Sequence, residues 1–234
     1  MLTRIVTSAL FAGFAAGLIA AALQLVFVQP LLLHAEHYES GRLVHFGAQK
    51  ASDAHVDTGG IDWHRDGLSF LFTTLIYTGY AFLLVSAMAA ASMRGISVRA
   101  KTGLVWGLAG FLAVHFAPAV GLPPELPGAA AADVGVRQIW WFATAAATAV
   151  GLGLLAFGHG WMPWMAGAIL IAAPHVIGAP HPLNLTGPAP PELAAGFATR
   201  ALGVGLVAWA LLGLFSAWFW EREARHAENL PQTA

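Results

Sequence analysis

From Ile5 to Val28 the chain runs for 24 residues without a charge, with only Thr7, Ser8 and Gln24 as polar side chains. A helix of that length rises about 1.5 Å per residue and covers the roughly 30 Å hydrocarbon core of a bilayer. The apolar region of a signal peptide is about 7–15 residues, too short to account for it. Comparable stretches recur at about 68–93, 102–120, 137–157, 161–177 and 197–220. The expected fold is therefore all-α, a polytopic transmembrane helical bundle of about six spans, forming one integral membrane domain over residues 1–234. The 161–177 stretch is short and broken by proline, which leaves five spans as the alternative count. Composition points the same way, because a chain that is 58% hydrophobic and 10% charged cannot hide its apolar surface in a soluble core of this size. Gly13 and Gly17 form a small-xxx-small pair suited to close helix contact in lipid.

Charge sets an orientation. Arg94, Arg99 and Lys101 fall in the short segment after the second span, and Arg4 and Arg222/Arg225 flank the first and last spans. Six spans bring all of these to one side, which the positive-inside rule makes cytoplasmic, together with both termini. The outer side then receives residues 29–67, a long loop with six acids, three bases and His34, His37, His45, His55 and His64, half of the ten histidines. An anionic, His-rich loop of this length concentrates cations near a membrane surface, unless its histidines are merely solvated.

That loop opens with Pro30-Leu-Leu-Leu-His34-Ala-Glu36-His37-Tyr38-Glu39. If the helix continues past Pro30, His34/His37 and Glu36/Glu39 are i, i+3 pairs, which places two imidazoles and two carboxylates within about two turns. That is a ligand set for a divalent first-row metal; the competing reading is a solvated collar at the membrane surface. The same outer side receives His115-Phe-Ala-Pro118 with Pro123-Pro124-Glu125, and Pro174-His175 with Pro180-His181-Pro182. Histidines near a span are costly unless they face the bundle interior or water, so His115, His175 and His181 are either ligands or hydrogen-bonded groups between packed helices. The prolines there each remove a backbone donor and are expected to break or kink the outer helix ends. Gly121-Leu-Pro-Pro-Glu-Leu126 is echoed in Gly187-Pro-Ala-Pro-Pro-Glu-Leu193. In both, an acid after proline suits the first turn of a helix; the functional alternative for Glu125 and Glu192 is a pair of anionic groups at an entrance.

Several function classes are excluded or weakened. A net charge of −1 offers no basic stripe for nucleic acid, and the absence of Cys removes thiolate sites and disulfides. No phosphate loop, Ser nucleophile elbow or helical zinc-protease motif is present. Haem ligation would want axial His pairs across the bundle, for which only His115 and His175 come close.

The blocks Pro30–Glu39, Trp106-Gly-Leu-Ala-Gly-Phe111, Ala117-Pro-Ala-Val-Gly-Leu-Pro-Pro-Glu-Leu-Pro-Gly128, Arg137-Gln-Ile-Trp-Trp141 and Pro174-His-Val-Ile-Gly-Ala-Pro180 resemble the CbtA family, proposed cobalt transporter subunits of bacteria. The resemblance implies a non-enzymatic subunit of the bacterial cytoplasmic membrane that takes up cobalt for cobalamin synthesis. It also implies a small, single-span, His-containing partner subunit, CbtB-like, beside the lipid itself. No permanently bound cofactor is implied; Co2+ is cargo, with Ni2+ as the alternative ion. Taking the residue chemistry together, Glu36, His37 and Glu39, with His34 beside them, would capture the ion. His115, His175, His181 and Glu125 would line its way in. The alternatives are a membrane haem or redox protein and an assembly subunit that carries no ion.

Overall fold

The computed structural model describes residues 1–45, 60, 62–183 and 187–228, with side chains through Arg225. Asp53, His55 and Asp57 of the acidic loop lie outside the described residues. The described chain is helical: α1 (Leu2–Phe27), α2 (Gln29–Glu39), α3 (Trp63–Met93), α4 (Gly103–Phe111), α5 (Ala117–Gly121), α6 (Val134–Phe157), α7 (Trp161–Ile177) and α8 (Pro191–Glu228). A π-helical turn, Leu112–Phe116, joins α4 to α5. Five stretches are long and apolar enough to cross a membrane: Leu2–Phe27, Trp63–Met93, Ala100–Gly121, Val134–Phe157 and Pro191–Arg225. The remaining apolar helix, α7, has 17 residues and is about 26 Å long.

The chain divides into two compact units. The first comprises Met1–Leu23, Trp63–Phe111 and Val204–Ala234. Its first helix is inside out relative to one in a soluble bundle. On α1, Ala9, Ala12 and Ala16 are 0% exposed, while Phe11 and Phe14 are 60% and 56% exposed. Small residues inward and large apolar ones outward would be ruinous in water but suit lipid, where tight backbone approach rather than hydrophobic exclusion holds helices together. A Cβ on Gly13 would lie 2.5 Å from the Thr78 Cα of α3, and one on Gly17 would lie 2.8 Å from the Thr74 Cα. The expected Gly13/Gly17 contact is thus made with α3. A second such crossing joins α4 to α8, where a Cβ on Gly103 would lie 2.7 Å from the carbonyl oxygen of Gly213. Some buried hydroxyls in the spans return to their own helix, as where Thr74 Oγ1 donates to the Phe70 carbonyl at 2.8 Å, whereas those of Ser8, Thr148 and Ser216 have no hydrogen-bond partner among the described residues.

One end of this unit is tied by polar contacts. The Arg4 guanidinium donates to the Trp220 carbonyl at 2.6 and 2.9 Å and lies 3.7 Å from the centroid of that indole. The backbone N–H of Ala100 donates to Glu221 Oε2 at 2.7 Å. Three segments that share a side in the charge pattern therefore meet: the start of α1, the Arg94–Lys101 turn and the end of α8.

The second unit comprises Gln24–Asp62 and Leu112–Gly203. Here α6 and α7 pack through glycine, with a Cβ on Gly167 only 2.8 Å from the Gly151 carbonyl oxygen. Asp133 caps α6 by accepting from the N–H groups of Gly135 (2.9 Å) and Val136 (3.2 Å). α7 begins after Gly160 and ends at Gly178, both at positive φ, and the Gly178 N–H closes onto the Pro174 carbonyl at 3.0 Å.

Some boundaries differ from the sequence reading for identifiable reasons. The 29–67 loop is helical at both edges: α2 starts one residue after α1 because a proline in the first turn lacks only a donor that would be unpaired anyway, and α3 begins at Trp63 with Asp66 favouring its N-terminal dipole. Pro118 does not end its helix. The preceding turn widens to π geometry and α5 continues to Gly121, which absorbs the missing bond as a bulge. Pro174 likewise sits inside α7, which runs on to Ile177.

Candidate functional site

All eight candidate residues belong to the second unit. His34, Glu36, His37 and Glu39 lie on α2, where the acids are exposed and the imidazoles half-buried. The His34 ring stacks on Tyr38 one turn later, with centroids 5.5 Å apart. Ser40 and Gly41 close the helix through N–H bonds to the carbonyls of Glu36 (2.9 Å) and Tyr38 (3.2 Å). His115 is half-buried in the π turn, a local geometry that recurs at functional sites. His175 is half-buried near the end of α7, and His181 is exposed in the segment after it.

The segments bearing these residues touch. Gly128 has φ +74°, which favours glycine, and a Cβ there would meet Pro188 Cγ at 3.0 Å and Glu39 Cγ at 3.3 Å. The end of α2, the loop after α5 and the loop before α8 thus meet at Gly128. The start of the second Pro-Glu echo lies beside the chain just after the first, since a Cβ on Gly187 would lie 3.6 Å from the Ala129 Cα. A second junction forms at Gly121, where a Cβ would lie 2.7 Å from both Ala179 Cβ and Trp140 Cη2. The side chains themselves remain apart: among the described residues no three His, Asp or Glu groups are arranged to hold a metal ion.

Glu125 departs from expectation. It lies in the irregular segment between α5 and α6, so it does not occupy the first turn of a helix; Asp133 takes the capping position instead. Its Oε2 accepts from Arg137 Nη2 at 2.6 Å, with both side chains about three-tenths exposed (29% and 28%). Glu192, in contrast, is in the first turn of α8 as expected.

Two residues gain roles that sequence reasoning missed. Trp140 is buried, donates from Nε1 to the Pro174 carbonyl at 3.3 Å, and meets the His175 ring edge-on with centroids 6.2 Å apart. Arg137 holds Glu125. Both sit in the Arg-Gln-Ile-Trp-Trp block, whose unusual clustering of a cation and two indoles at a span boundary was the available signal.

Five helical stretches long and apolar enough to cross a membrane, large apolar side chains left exposed on them and close glycine crossings between them define a multi-pass α-helical membrane protein. Within that class the chain belongs to the CbtA family, described as a probable cobalt transporter subunit, which it matches over residues 2–221. No curated protein and no solved structure matches it.

Proposed function

We propose that this chain is the membrane subunit that admits Co2+ from outside the cytoplasmic membrane, supplying cobalt for cobalamin synthesis together with a small, single-span, His-containing CbtB-like partner. The observation that carries the reading is the meeting of the end of α2, the loop after α5 and the chain at Pro188 around Gly128, since the first two of these bear His34, Glu36, His37, Glu39 and Glu125, groups suited to a divalent ion. Glu36, His37 and Glu39, with His34, capture the ion, and His115, His175, His181 and Glu125 line its path.

Parity supports the topology. Arg4 at the start of the first span touches Trp220 at the far end of the last, so both ends of the chain share one side and the number of crossings is even. Five long spans with α7 as a sixth fit that count; its roughly 26 Å is accommodated by local thinning or by flanking residues reaching the interface. The Arg4, Arg94–Lys101 and Arg222/Arg225 clusters support a cytoplasmic position for that side by the positive-inside rule.

The test is radiocobalt uptake at limiting Co2+ in cells lacking their own cobalt importer, supplied with this chain and its partner. Glu36→Gln and His175→Gln keep a similar shape and hydrogen-bonding reach, so both variants are expected at normal membrane abundance with most uptake lost. Normal uptake by both would refute the ion path and leave a subunit that carries no ion itself.

A further inference from the structure

We infer that Arg137 is a tethered counter-cation that competes with the transported ion for Glu125 and thereby sets how readily the ion is released. This rests on the ion path proposed above and adds a regulator to it. The Glu125 carboxylate is engaged by a cation of the chain itself, with Oε2 2.6 Å from Arg137 Nη2. A carboxylate neutralised by a guanidinium attracts a divalent ion less, so Glu125 can ligate only as the pair opens. The geometry allows opening. The pair is partly exposed, and Glu125 stands in an irregular segment rather than a helix, so its backbone is not held by a helical ladder. The guanidinium, for its part, is incompletely satisfied: Arg137 Nε is buried without a hydrogen-bond partner among the described residues. A purely structural clamp would use that donor as well.

The base of the device is fixed. Arg137 is one turn into α6, whose start is capped by Asp133, and one turn before Trp140, which is bonded to the Pro174 carbonyl. Displacement by an ion therefore moves the side chain and not the helix. When the ion leaves, the guanidinium returns to Glu125 and prevents rebinding. Arg137 acts as a positioning residue; the ion and Arg137 occupy Glu125 in turn.

The test is a saturation curve of Co2+ uptake for Arg137→Gln, Arg137→Lys and wild type at equal membrane abundance. Removing the competitor is expected to lower the half-saturating Co2+ concentration by roughly two- to fivefold, the range spanned by a partly exposed ion pair, and to lower the maximal rate. Arg137→Lys keeps the charge and is expected to stay near wild type. A clamp without a competitor role predicts the opposite sign, a raised half-saturating concentration, and that result would overturn the inference. Unchanged kinetics would overturn it equally. Failure of the ion path itself would look different: Glu36→Gln and His175→Gln would then transport normally whatever Arg137 did.

Discussion

The α4–α8 crossing permits a quantitative test of how this protein is held together. A methyl added at Gly213 would meet three α4 atoms, the Gly103 carbonyl oxygen, the Gly107 amide nitrogen and the Gly107 Cα at 2.5 Å. All three are backbone, so no rotamer change can relieve the overlap. Since carbon atoms attract best at about 3.5–4.0 Å, the helices must part by about 1 Å, loosening contacts on either side of the crossing. Overpacking of this kind costs up to ~3 kcal/mol, from which alanine's better helix propensity recovers ~1 kcal/mol, leaving Gly213→Ala destabilised by ~2 kcal/mol. Gly79, within α3 of the same unit, has nothing within 4 Å of its would-be Cβ. Gly79→Ala should therefore only gain the propensity term, up to ~1 kcal/mol. The two chemically identical substitutions differ by ~3 kcal/mol in opposite directions, which corresponds to roughly 6–12 °C in thermal midpoint for a chain of this size. The assay is the loss of the monodisperse peak on heating in detergent, at one heating rate for wild type and both variants. Equal midpoints for the two variants would refute the idea that backbone contact at glycine holds α4 to α8.

Two further predictions follow from other elements. Trp140→Phe preserves an aromatic core and removes one donor worth ~1 kcal/mol to the Pro174 carbonyl; the expected outcome is normal abundance with a raised half-saturating Co2+ concentration, and unchanged uptake kinetics would show that His175 needs no such support. On topology, Ser40→Cys should react with an impermeant thiol reagent in intact cells and Ser97→Cys only after permeabilisation, a clean measurement because the chain has no native Cys; the reverse pattern would invert the proposed orientation.

The spans were legible because charge-free runs in a chain this apolar have few alternatives. The Gly13/Gly17 contact was legible because its spacing repeats once per helical turn on one segment. Gly103, Gly107 and Gly213 were not, since their contact joins two distant segments and nothing in a chain with 26 glycines says which ones meet. Pro118 and Pro174 misled in degree: proline reports a lost donor, whereas whether the helix ends, bulges or runs on depends on its surroundings. The Pro-Glu pattern at Glu125 suits a helix start as well as an anionic entrance group, yet the residue stands outside any helix and its partner lies 12 residues away on α6.

The candidate ligands each meet the ion path already engaged or set apart. Glu125 holds Arg137, His34 lies on Tyr38, and His175 abuts Trp140. Every such partner that must be left subtracts from the gross energy of binding an ion, by the order of a hydrogen bond or weak ion pair each, ~0.5–1 kcal/mol. For a storage protein that would be a defect. For a transporter it is a requirement, because an ion must be bound strongly enough to shed water and weakly enough to leave. On the proposed ion path, groups that return to a protein partner as the ion departs would give the release step its own driving force.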